Sequence, residues 1–555
     1  MDKPWIKNYD AGIPADIDPN EYSSISDLLN QSFDKYADLP SFSNFGTTIT
    51  YAELKTASLK FASYLQNDLG LKKGDRVALM MPNILQYPIC LFGILQAGMV
   101  AVNVNPLYTA RELEHQLNDS GAQALIIFAN SAKVYQDVKD KTSVKHVIVT
   151  QIGDLLKFPK NYLINFVLKH VKKAVPDYDL PDALSLTEIL ANSDYEKFNK
   201  VDVTHDDIAF LQYTGGTTGV SKGAVLTHKN IVSNLLQARA WIGDFIQEGK
   251  EIIITPLPLY HIFSLTANCL TFSSIGAQNV LITNPRDLPG FVKELKKWKF
   301  TVMTAVNTLF NGLLNTPGFE DLDFSNVRLS LGGGMAVQKA VADKWKEVTG
   351  APLIEAYGLT ETSPAACINP MTLKSFNGTV GLPISSTFVS IKDDDGKDLS
   401  FNEDGEICIK GPQVMQGYWN RPEETAKVMT DDGYFRTGDI GHMSEDGYVK
   451  IVDRKKDMIL VSGFNVYPNE IEDVVSSHPG VFESAAVGVP DEKSGEAVKV
   501  FVVKKDDSLT EDDLRSFCRD QLTGYKNPRY FEFKDELPKT NVGKILRREL
   551  RAPAQ

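Results

Sequence analysis

The residues most able to do chemistry form a run of glycines, hydroxyls and one lysine, YTGGTTGVSKG, from Tyr213 to Gly223. Glycines let backbone N–H groups approach phosphate oxygens closely, hydroxyls add donors, and Lys222 adds a positive charge. The order is not that of a Walker A loop, because Ser221 precedes Lys222 and Gly223 follows it. We therefore expect ATP to bind here in another manner. The alternative interpretation is a flexible surface loop.

Four further motifs carry candidate groups, but each has an ordinary structural interpretation when taken alone. Glu361 in YGLTETSP lies between two threonines, a pattern typical of a helix N-cap. Asp439 in YFRTGDI fits a turn, and His261 in PLPLYHIF fits a packed histidine beside aromatic residues. Lys544 in LPKTNVGKILRREL fits the end of a basic amphipathic helix, and we predict a last helix near this lysine. Their combination is more informative than any one of them.

Together the motifs resemble those of the acyl-adenylate-forming superfamily, which includes acyl-CoA synthetases, luciferases and the adenylation domains of peptide synthetases. Matching segments run from ITYAELK at Ile49 to GKILRREL near the end. Within the superfamily the chain is most similar to the bacterial long-chain fatty acyl-CoA synthetases. The resemblance implies that a fatty acid reacts with ATP to give an acyl-adenylate, which coenzyme A converts to acyl-CoA. It also implies Mg²⁺ as a cofactor, with ATP and coenzyme A as co-substrates.

The resemblance also assigns a role to each candidate residue. Thr360 contacts the α-phosphate, Glu361 and Thr218 bind Mg²⁺, and His261 positions the substrate carboxylate. Lys544 bridges the carboxylate and α-phosphoryl oxygens during adenylation, where two anions are driven together. The expected ATP contacts are Thr214, Gly215, Gly216, Thr217, Thr218, Gly219 and Lys222 at the phosphates, Gly333, Gly334, Met335, Glu355, Ala356, Tyr357 and Gly358 at the adenine, and Asp439 and Arg454 at the ribose or phosphates. The expected coenzyme A contacts are Ser462, Gly463 and Phe464, and the expected hinge residue is Lys456.

The alternation of short apolar runs with amphipathic stretches predicts an α/β fold. Runs such as DRVALMM, ALIIF and HVIVT fit buried strands, and ARELEHQL fits a helix between them. This pattern indicates mainly parallel, stacked sheets covered by helices. From about Gly378, strands such as GEICIK are separated by turns rich in Asp and Gly, which indicates a β-rich subdomain. We predict a large N-terminal domain (1–452, with the β-rich subdomain at 378–452), a hinge (453–457) and a small mobile α+β C-terminal domain (458–555).

Composition excludes several classes of protein. With 555 residues, net charge −13 and 43% hydrophobic residues, the chain is globular and too acidic for a general nucleic-acid binder. Five scattered cysteines give no zinc signature and fit a reducing compartment. The start lacks a secretory signal, and no apolar stretch reaches ~20 residues. We expect a cytoplasmic protein. A peripheral position at the inner face of the cell membrane stays open, as does a homodimer.

Two matters stay open at this point. The segment Leu155–Pro176 interleaves apolar residues with five lysines, so it fits either a helix lying on an anionic membrane or an inserted helix packed on the large domain. Another acyl- or aryl-CoA ligase, a luciferase-like enzyme and a stand-alone adenylation enzyme share the motifs, so the enzyme class is the second open matter.

Leu265 stands where some relatives have a bulky aromatic residue that gates the acyl tunnel. A fatty-acid uptake protein without turnover is disfavoured by the intact Lys222, Glu361, Asp439 and Lys544.

Overall fold

The computed structural model of the protein describes residues 3–214, 221–491 and 493–551. Its strands, in chain order, are β1 (Pro40–Asn44), β2 (Thr47–Thr50), β3 (Arg76–Met80), β4 (Val100–Asn103), β5 (Ala124–Phe128), β6 (His146–Thr150), β7 (Leu184–Ser185), β8 (Ile208–Thr214), β9 (Lys222–Thr227), β10 (Ile252–Thr255), β11 (Gln278–Leu281), β12 (Val302–Ala305), β13 (Leu329–Gly333), β14 (Leu353–Gly358), β15 (Ala365–Ile368), β16 (Leu382–Pro383), β17 (Phe388–Lys392), β18 (Gly405–Lys410), β19 (Gly417–Tyr418), β20 (Phe435–Met443), β21 (Val449–Arg454), β22 (Ile459–Val461), β23 (Phe464–Val466), β24 (Val481–Asp491), β25 (Gly495–Lys504) and β26 (Tyr530–Lys534).

The α-helices are α1 (Ile25–Lys35), α2 (Tyr51–Asn67), α3 (Gln86–Gln96), α4 (Ala110–Ser120), α5 (Ala132–Gln136), α6 (Lys160–Phe166), α7 (Leu186–Asn192), α8 (His228–Ile242), α9 (Ile262–Ser264), α10 (Phe272–Ser274), α11 (Leu288–Leu295), α12 (Asn307–Leu314), α13 (Lys339–Thr349), α14 (Pro422–Val428), α15 (Pro468–Ser476), α16 (Glu511–Gln521) and α17 (Arg547–Arg551). Two π-helical segments follow α6 and α9, at Val167–Val171 and Leu265–Thr271. Short 3-10 helices lie at Pro4–Asn8, Pro19–Glu21, Ala129–Ser131, Lys139–Lys141, Tyr195–Lys197, Gly243–Phe245, Thr360–Thr362 and Gly524–Lys526.

Two large sheets form the N-terminal part of the chain. Among the described residues, one sheet has nine strands in the order β16-β15-β14-β13-β12-β10-β11-β1-β2, and the other has eight in the order β19-β9-β8-β4-β3-β5-β6-β7. Pairing is parallel from β14 to β1 in the first sheet and from β8 to β7 in the second. Parallel strands are usually covered on both faces, which explains their nearly continuous apolar sequences. The predicted stacked, mainly parallel sheets are confirmed.

Two smaller sheets follow along the chain. Strands β17-β18-β20-β21 form a four-stranded antiparallel sheet, and β23-β22-β25-β24 form the C-terminal sheet, with β26 paired in parallel to β25. Helices α15 and α16 pack on the C-terminal sheet through a cluster that includes Ile471, Val475 and Leu514. The predicted β-rich subdomain and the small α+β C-terminal region are therefore confirmed as parts of the fold.

The main core surrounds helix α3, whose side chains from Gln86 to Gln96 are all buried. The apolar stretch from Pro88 is therefore part of a buried helix that leads into β4. Within residues 3–214, 221–491 and 493–551, no helix is both long enough and apolar enough to cross a membrane. The five cysteines are all buried and unpaired.

Candidate active site

The phosphate-binding loop predicted from sequence connects two strands of a hairpin. Thr214 ends β8 and Lys222 begins β9, and the two residues are paired in antiparallel register. The predicted residues Gly215, Gly216, Thr217, Thr218 and Gly219 lie outside the described residues. Strand β9 follows the loop, and the helix-like stretch HKNIVSNLLQ forms the start of α8, which begins at His228. The strand was missed because GAVLT is short and lies between a glycine-rich loop and a strong helix pattern.

Helix α4 holds both ends of this loop. His115 Nε2 lies 2.9 Å from the backbone oxygen of Ser221, and the Tyr213 hydroxyl donates to Asp119 Oδ2 at 2.7 Å. Arg421 also donates to Asp119, at 2.7 Å. Sequence reasoning identified α4 as a helix but gave no role to His115 or Asp119, since their partners are about a hundred residues or more away in the chain.

Glu361 is buried beside this loop. It lies in the short helix Thr360–Thr362, and the Tyr418 hydroxyl donates to its Oε1 at 2.7 Å. Burial raises the pKa of Glu361, and the Tyr418 hydrogen bond acts in the opposite direction. The Lys222 ammonium lies 5.1 Å from the centre of the Tyr418 ring. The structure thus brings the predicted lysine and the predicted metal ligand to one place, with Tyr418 between them.

The predicted adenine slot lies at the ends of β13 and β14. These strands are parallel, with Gly333 opposite Ala356. A side chain on Gly333 would lie 3.2 Å from the Phe263 ring, so only glycine fits without movement. Gly333 and Gly334 line a cavity, and Gly358, another predicted adenine contact, lines it as well. The Glu355 side chain instead accepts from the Val337 backbone N–H at 3.4 Å, and burial raises its pKa to about 8.

Met335 also differs from the glycines around it. Its side chain packs against an apolar cluster of Leu257, Phe263 and Val306. Of the predicted slot residues, Gly333, Gly334, Ala356, Tyr357 and Gly358 line the cavity. Glu355 and Met335 pack beside it. This orientation depends on tertiary packing, which the motif alone did not reveal.

Asp439 and Arg454 face each other across β20 and β21. The Arg454 Nε atom lies 3.3 Å from Asp439 Oδ1, and the Tyr357 hydroxyl donates to Asp439 Oδ2 at 2.6 Å. Tyr357 therefore connects the predicted adenine slot to the predicted ribose contact. A carboxylate held from both sides is suited to accept two ribose hydroxyls after modest rearrangement.

Lys544 extends into the cleft between the two parts of the chain. A side chain built on Gly334 would lie 3.4 Å from Lys544 Cε, which shows how closely the lysine passes the slot. Burial, with nearby Arg454, lowers the Lys544 pKa to about 8. The last helix predicted near Lys544 is α17, which begins at Arg547, and Lys544 itself lies in a loop beside the Lys539–Ile545 bridge.

His261 lines the same cavity as Lys544. Its Nδ1 accepts from the Phe263 backbone N–H at 3.3 Å, so the proton of the neutral ring is on Nε2. Burial, together with the Lys544 charge, lowers the His261 pKa to about 3. A histidine that stays neutral near pH 7 can donate a hydrogen bond but cannot serve as a general base that becomes charged there.

The cavity continues from these polar groups into an apolar chamber. Thr360, Gly334, His261 and Lys544 border one end. Away from this end, toward the start of β13, the lining is mostly apolar and includes Ala238, Ile242, Phe272, Leu329 and Met371, with Asn234 and Thr271 as polar members. Leu265 is fully buried. The arrangement suits a carboxylate with a long hydrocarbon chain.

The predicted coenzyme A and hinge residues lie outside this cavity. Ser462 and Gly463 form the turn between β22 and β23, both with left-handed backbone (φ 52° and 85°). Phe464 is exposed and stacks on Tyr525 at 4.8 Å between ring centres. Lys456 lies between β21 and β22, where the chain passes from the four-stranded antiparallel sheet to the C-terminal sheet.

The chain is similar in sequence to known enzyme families and to individual enzymes. The sequence model described as "AMP-binding enzyme" matches residues 29–419, and that described as "AMP-binding enzyme C-terminal domain" matches residues 470–544. The chain is 58% identical over 555 residues to a long-chain-fatty-acid–CoA ligase of Escherichia coli O157:H7, covering 100% of this chain and 99% of the relative. It is 40% identical to the ligase of the same name from Bacillus subtilis (strain 168), covering 99% and 97% of the two chains.

Solved structures agree with this assignment. ATP-bound MatB from Rhodopseudomonas palustris has a TM-score of 0.82 at 29% identity, covering 95% of this chain and 98% of that one. A benzoate CoA ligase from Burkholderia xenovorans LB400 has the same TM-score at 24% identity, covering 95% and 100%, and this likeness concerns the fold alone. The chain belongs to the AMP-binding enzyme family.

Proposed function

We propose that this protein is an AMP-forming ligase that activates long-chain fatty acids with ATP and transfers the acyl group to coenzyme A. The observation that carries the proposal is one cavity with Lys544, His261 and Thr360 at its polar end and an apolar chamber at the other. A fatty acid bound there has its carboxylate beside the cation and its chain among Ala238, Ile242 and their neighbours. The relatives named long-chain-fatty-acid–CoA ligase, which span the whole chain, support this reading.

In the first step, a carboxylate oxygen of the fatty acid attacks the α-phosphorus of ATP, and pyrophosphate leaves. The His261 Nε2–H is available to hold the carboxylate. The Lys544 ammonium stabilises the negative charge that accumulates where the two anions meet. Asp439 and the slot at Gly334 hold the nucleoside, so that the reacting atoms stay aligned.

In the second step, the sulfur of coenzyme A attacks the acyl carbonyl carbon. The thiol loses its proton, the bond from the carbonyl carbon to the phosphate oxygen breaks, and AMP leaves. This step needs no protein nucleophile, in agreement with the five buried cysteines. The turn at Ser462 and Gly463 leads into the stacked pair of Phe464 and Tyr525, which offers a flat aromatic surface for coenzyme A.

Glu361 suits Mg²⁺, which binds proteins through one or two carboxylates and takes its other ligands from phosphates and water. The buried carboxylate is oriented by Tyr418, so it is ready to share a cation with the triphosphate. Mg²⁺ would reduce the negative charge of the phosphates. Among the described residues there is no cluster of three or more His, Cys, Asp or Glu side chains that could hold a metal ion by themselves.

The test is an acid panel from acetate to oleate, with aryl acids added, scored for AMP and acyl-CoA. We expect oleate and palmitate to give acyl-CoA with the highest kcat/KM, and a Lys544→Ala variant to lose activity with every acid. Preference for an aryl acid would contradict the substrate class. AMP release without acyl-CoA in the presence of coenzyme A would instead indicate a stand-alone adenylation enzyme.

We further propose that the segment 157–173 binds anionic membrane. Five of its apolar side chains face solvent, while Ile164, Val167 and Leu168 are partly buried: Phe158 is 80% exposed, Tyr162 71%, Leu163 60%, Phe166 58% and Val171 66%. A helix packed on the large domain accounts for the partly buried face but not for the five exposed apolar side chains. The same segment carries five lysines and no acidic residue, so hydrophobic insertion and attraction to anionic lipid act together.

Replacing Lys169, Lys172 and Lys173 with Gln should weaken binding to anionic vesicles, since each lysine near such a surface contributes ~1 kcal/mol. A sedimentation assay with phosphatidylglycerol vesicles measures this. The matched control replaces Lys293, Lys296 and Lys299, which are exposed elsewhere on the protein. Equal vesicle binding of the first variant and the parent would contradict the proposal, and activity on a soluble medium-chain acid should not change.

A further inference from the structure

The proposed phosphate-binding lysine already has an anionic partner. The Lys222 ammonium forms a short ion pair with Glu424 Oε2, in the first turn of α14. Both side chains are about a third exposed, at 33% and 31%. The partner is 202 residues away in sequence, so no motif suggested it.

The pair lies beside the site proposed for the triphosphate. The Lys222 ammonium is over the Tyr418 ring, and the hydroxyl of that ring is bonded to Glu361. The bond from Lys222 is the main cause that lowers the Glu424 pKa to about 2, so the carboxylate is charged at neutral pH. An anion is therefore present on the lysine where the phosphates of ATP have to bind.

A second lysine, Lys427, also pairs with Glu424, so that Lys222 can exchange Glu424 for a phosphate. Glu424 Oε1 accepts from Lys427 at 2.5 Å, so the two carboxylate oxygens have different lysine partners. When Lys222 turns to a phosphate, Glu424 keeps Lys427 and is not left as an unpaired charge. The segment itself stays in place, because Tyr418 pairs with Ala224 in β9 and its backbone N–H donates to Thr425.

We propose that Glu424 is a placeholder for the β- and γ-phosphates: it holds Lys222 at the site when ATP is absent and releases it when ATP binds. The inference rests on the proposed function, in which Lys222 contacts ATP. Lys222 is a single cation and cannot fully serve both anions, so Glu424 competes with the triphosphate. Glu424 is a positioning residue, since it acts on ATP only through Lys222.

The experiment compares Glu424→Gln with Glu423→Gln in the full-length protein. Both changes remove one negative charge from the first turn of α14, but only the first removes the Lys222 ion pair. An exposed ion pair is weak, so we expect Glu424→Gln to bind MgATP only about 2–5-fold more tightly by calorimetry. AMP has no β- or γ-phosphate, so its Kd should stay the same. The KM for ATP in ATP–pyrophosphate exchange should fall together with the ATP Kd.

Three results would overturn the placeholder role: unchanged ATP affinity, weaker ATP binding, or an equal gain in Glu423→Gln. A general disturbance of the fold would also change AMP binding or thermal stability, which the same samples report. Lys222→Ala separates this inference from the proposed function. If that variant binds ATP like the parent, Lys222 is not an ATP contact. If it binds ATP more weakly while Glu424→Gln is unchanged, only the placeholder is refuted.

Discussion

The charge on Lys544 is sensitive to pH because the side chain is buried. Burial, with nearby Arg454, lowers its pKa to about 8, so the ammonium is charged below that pH and neutral above it. Adenylation needs the charged form. We therefore predict that kcat/KM for ATP in pyrophosphate exchange falls as pH rises through about 8, since this parameter reports the free enzyme. His261, with its pKa lowered to about 3, should not contribute a transition between pH 5 and 9.

Substitution at Lys544 identifies the group that titrates. Lys544→Ala should raise the activation barrier of adenylation by ~3–4 kcal/mol, the magnitude of one charge-stabilising contact. The variant should still convert pre-made acyl-adenylate and coenzyme A to acyl-CoA. Lys544→Arg should keep a charge at all accessible pH values, so its alkaline decline should disappear even if its rate is lower. An alkaline decline at the same pH in Lys544→Arg would assign the transition to another group.

At the scale of elements, sequence patterns predicted most strands, because a buried parallel strand such as β5 is apolar along its length. The last helix was also predicted near its place: α17 begins at Arg547, after a turn closed by the bond from the Gly543 N–H to Thr540. The pattern failed at the short strand β9, which was missed.

The residues of the candidate site also divide into those that the sequence identified and those that it did not. Residue types within one motif, such as Glu361 or Asp439, could be recognised from the sequence. Their supports, such as Tyr418 and Asp119, could not, because each contacts a group that is distant in the chain. The spacing of residues in a sequence shows which side chains lie close together on one helix or strand. It does not show which side chains of other elements they contact in the fold.

The acyl chamber is bounded by small side chains on α8 and on the π-helix Leu265–Thr271. Ala238 lines the chamber one turn before Ile242, which packs with Phe272, Leu329 and Met371, and a phenylalanine at Ala238 would occupy space that the distal part of the chain needs. We predict that Ala238→Phe lowers kcat/KM for oleate much more than for octanoate, since each methylene that loses its place forfeits ~0.8 kcal/mol. The acid panel measures this, with Ala238→Ser as the control of similar size. A uniform loss for all acids would point to a damaged fold instead.

At the scale of the whole molecule, the C-terminal part contacts the large part through a few polar bonds near Lys544. The Thr308 hydroxyl donates to the Gly543 backbone oxygen at 2.9 Å, Asn311 to the Phe482 backbone oxygen at 2.8 Å, and Gln338 to the Ser476 hydroxyl at 2.9 Å. A contact made largely of single hydrogen bonds between side chains and backbone can be exchanged for another at modest cost. The arrangement with Lys544 in the cleft is therefore suited to being one of two.

The second step needs a path for the coenzyme A thiol, and Lys544 occupies the cleft in this arrangement. We propose that the C-terminal part rotates about Lys456, where a few residues would absorb the change in φ and ψ. Proline fixes φ near −65° and restricts the preceding Lys455, so Lys456→Pro should hold one arrangement. We predict near-normal ATP–pyrophosphate exchange and a large loss of acyl-CoA formation. Lys456→Ala, which keeps backbone freedom, should retain both half-reactions. If the proline variant also retains both at parental rates, the chain turns elsewhere.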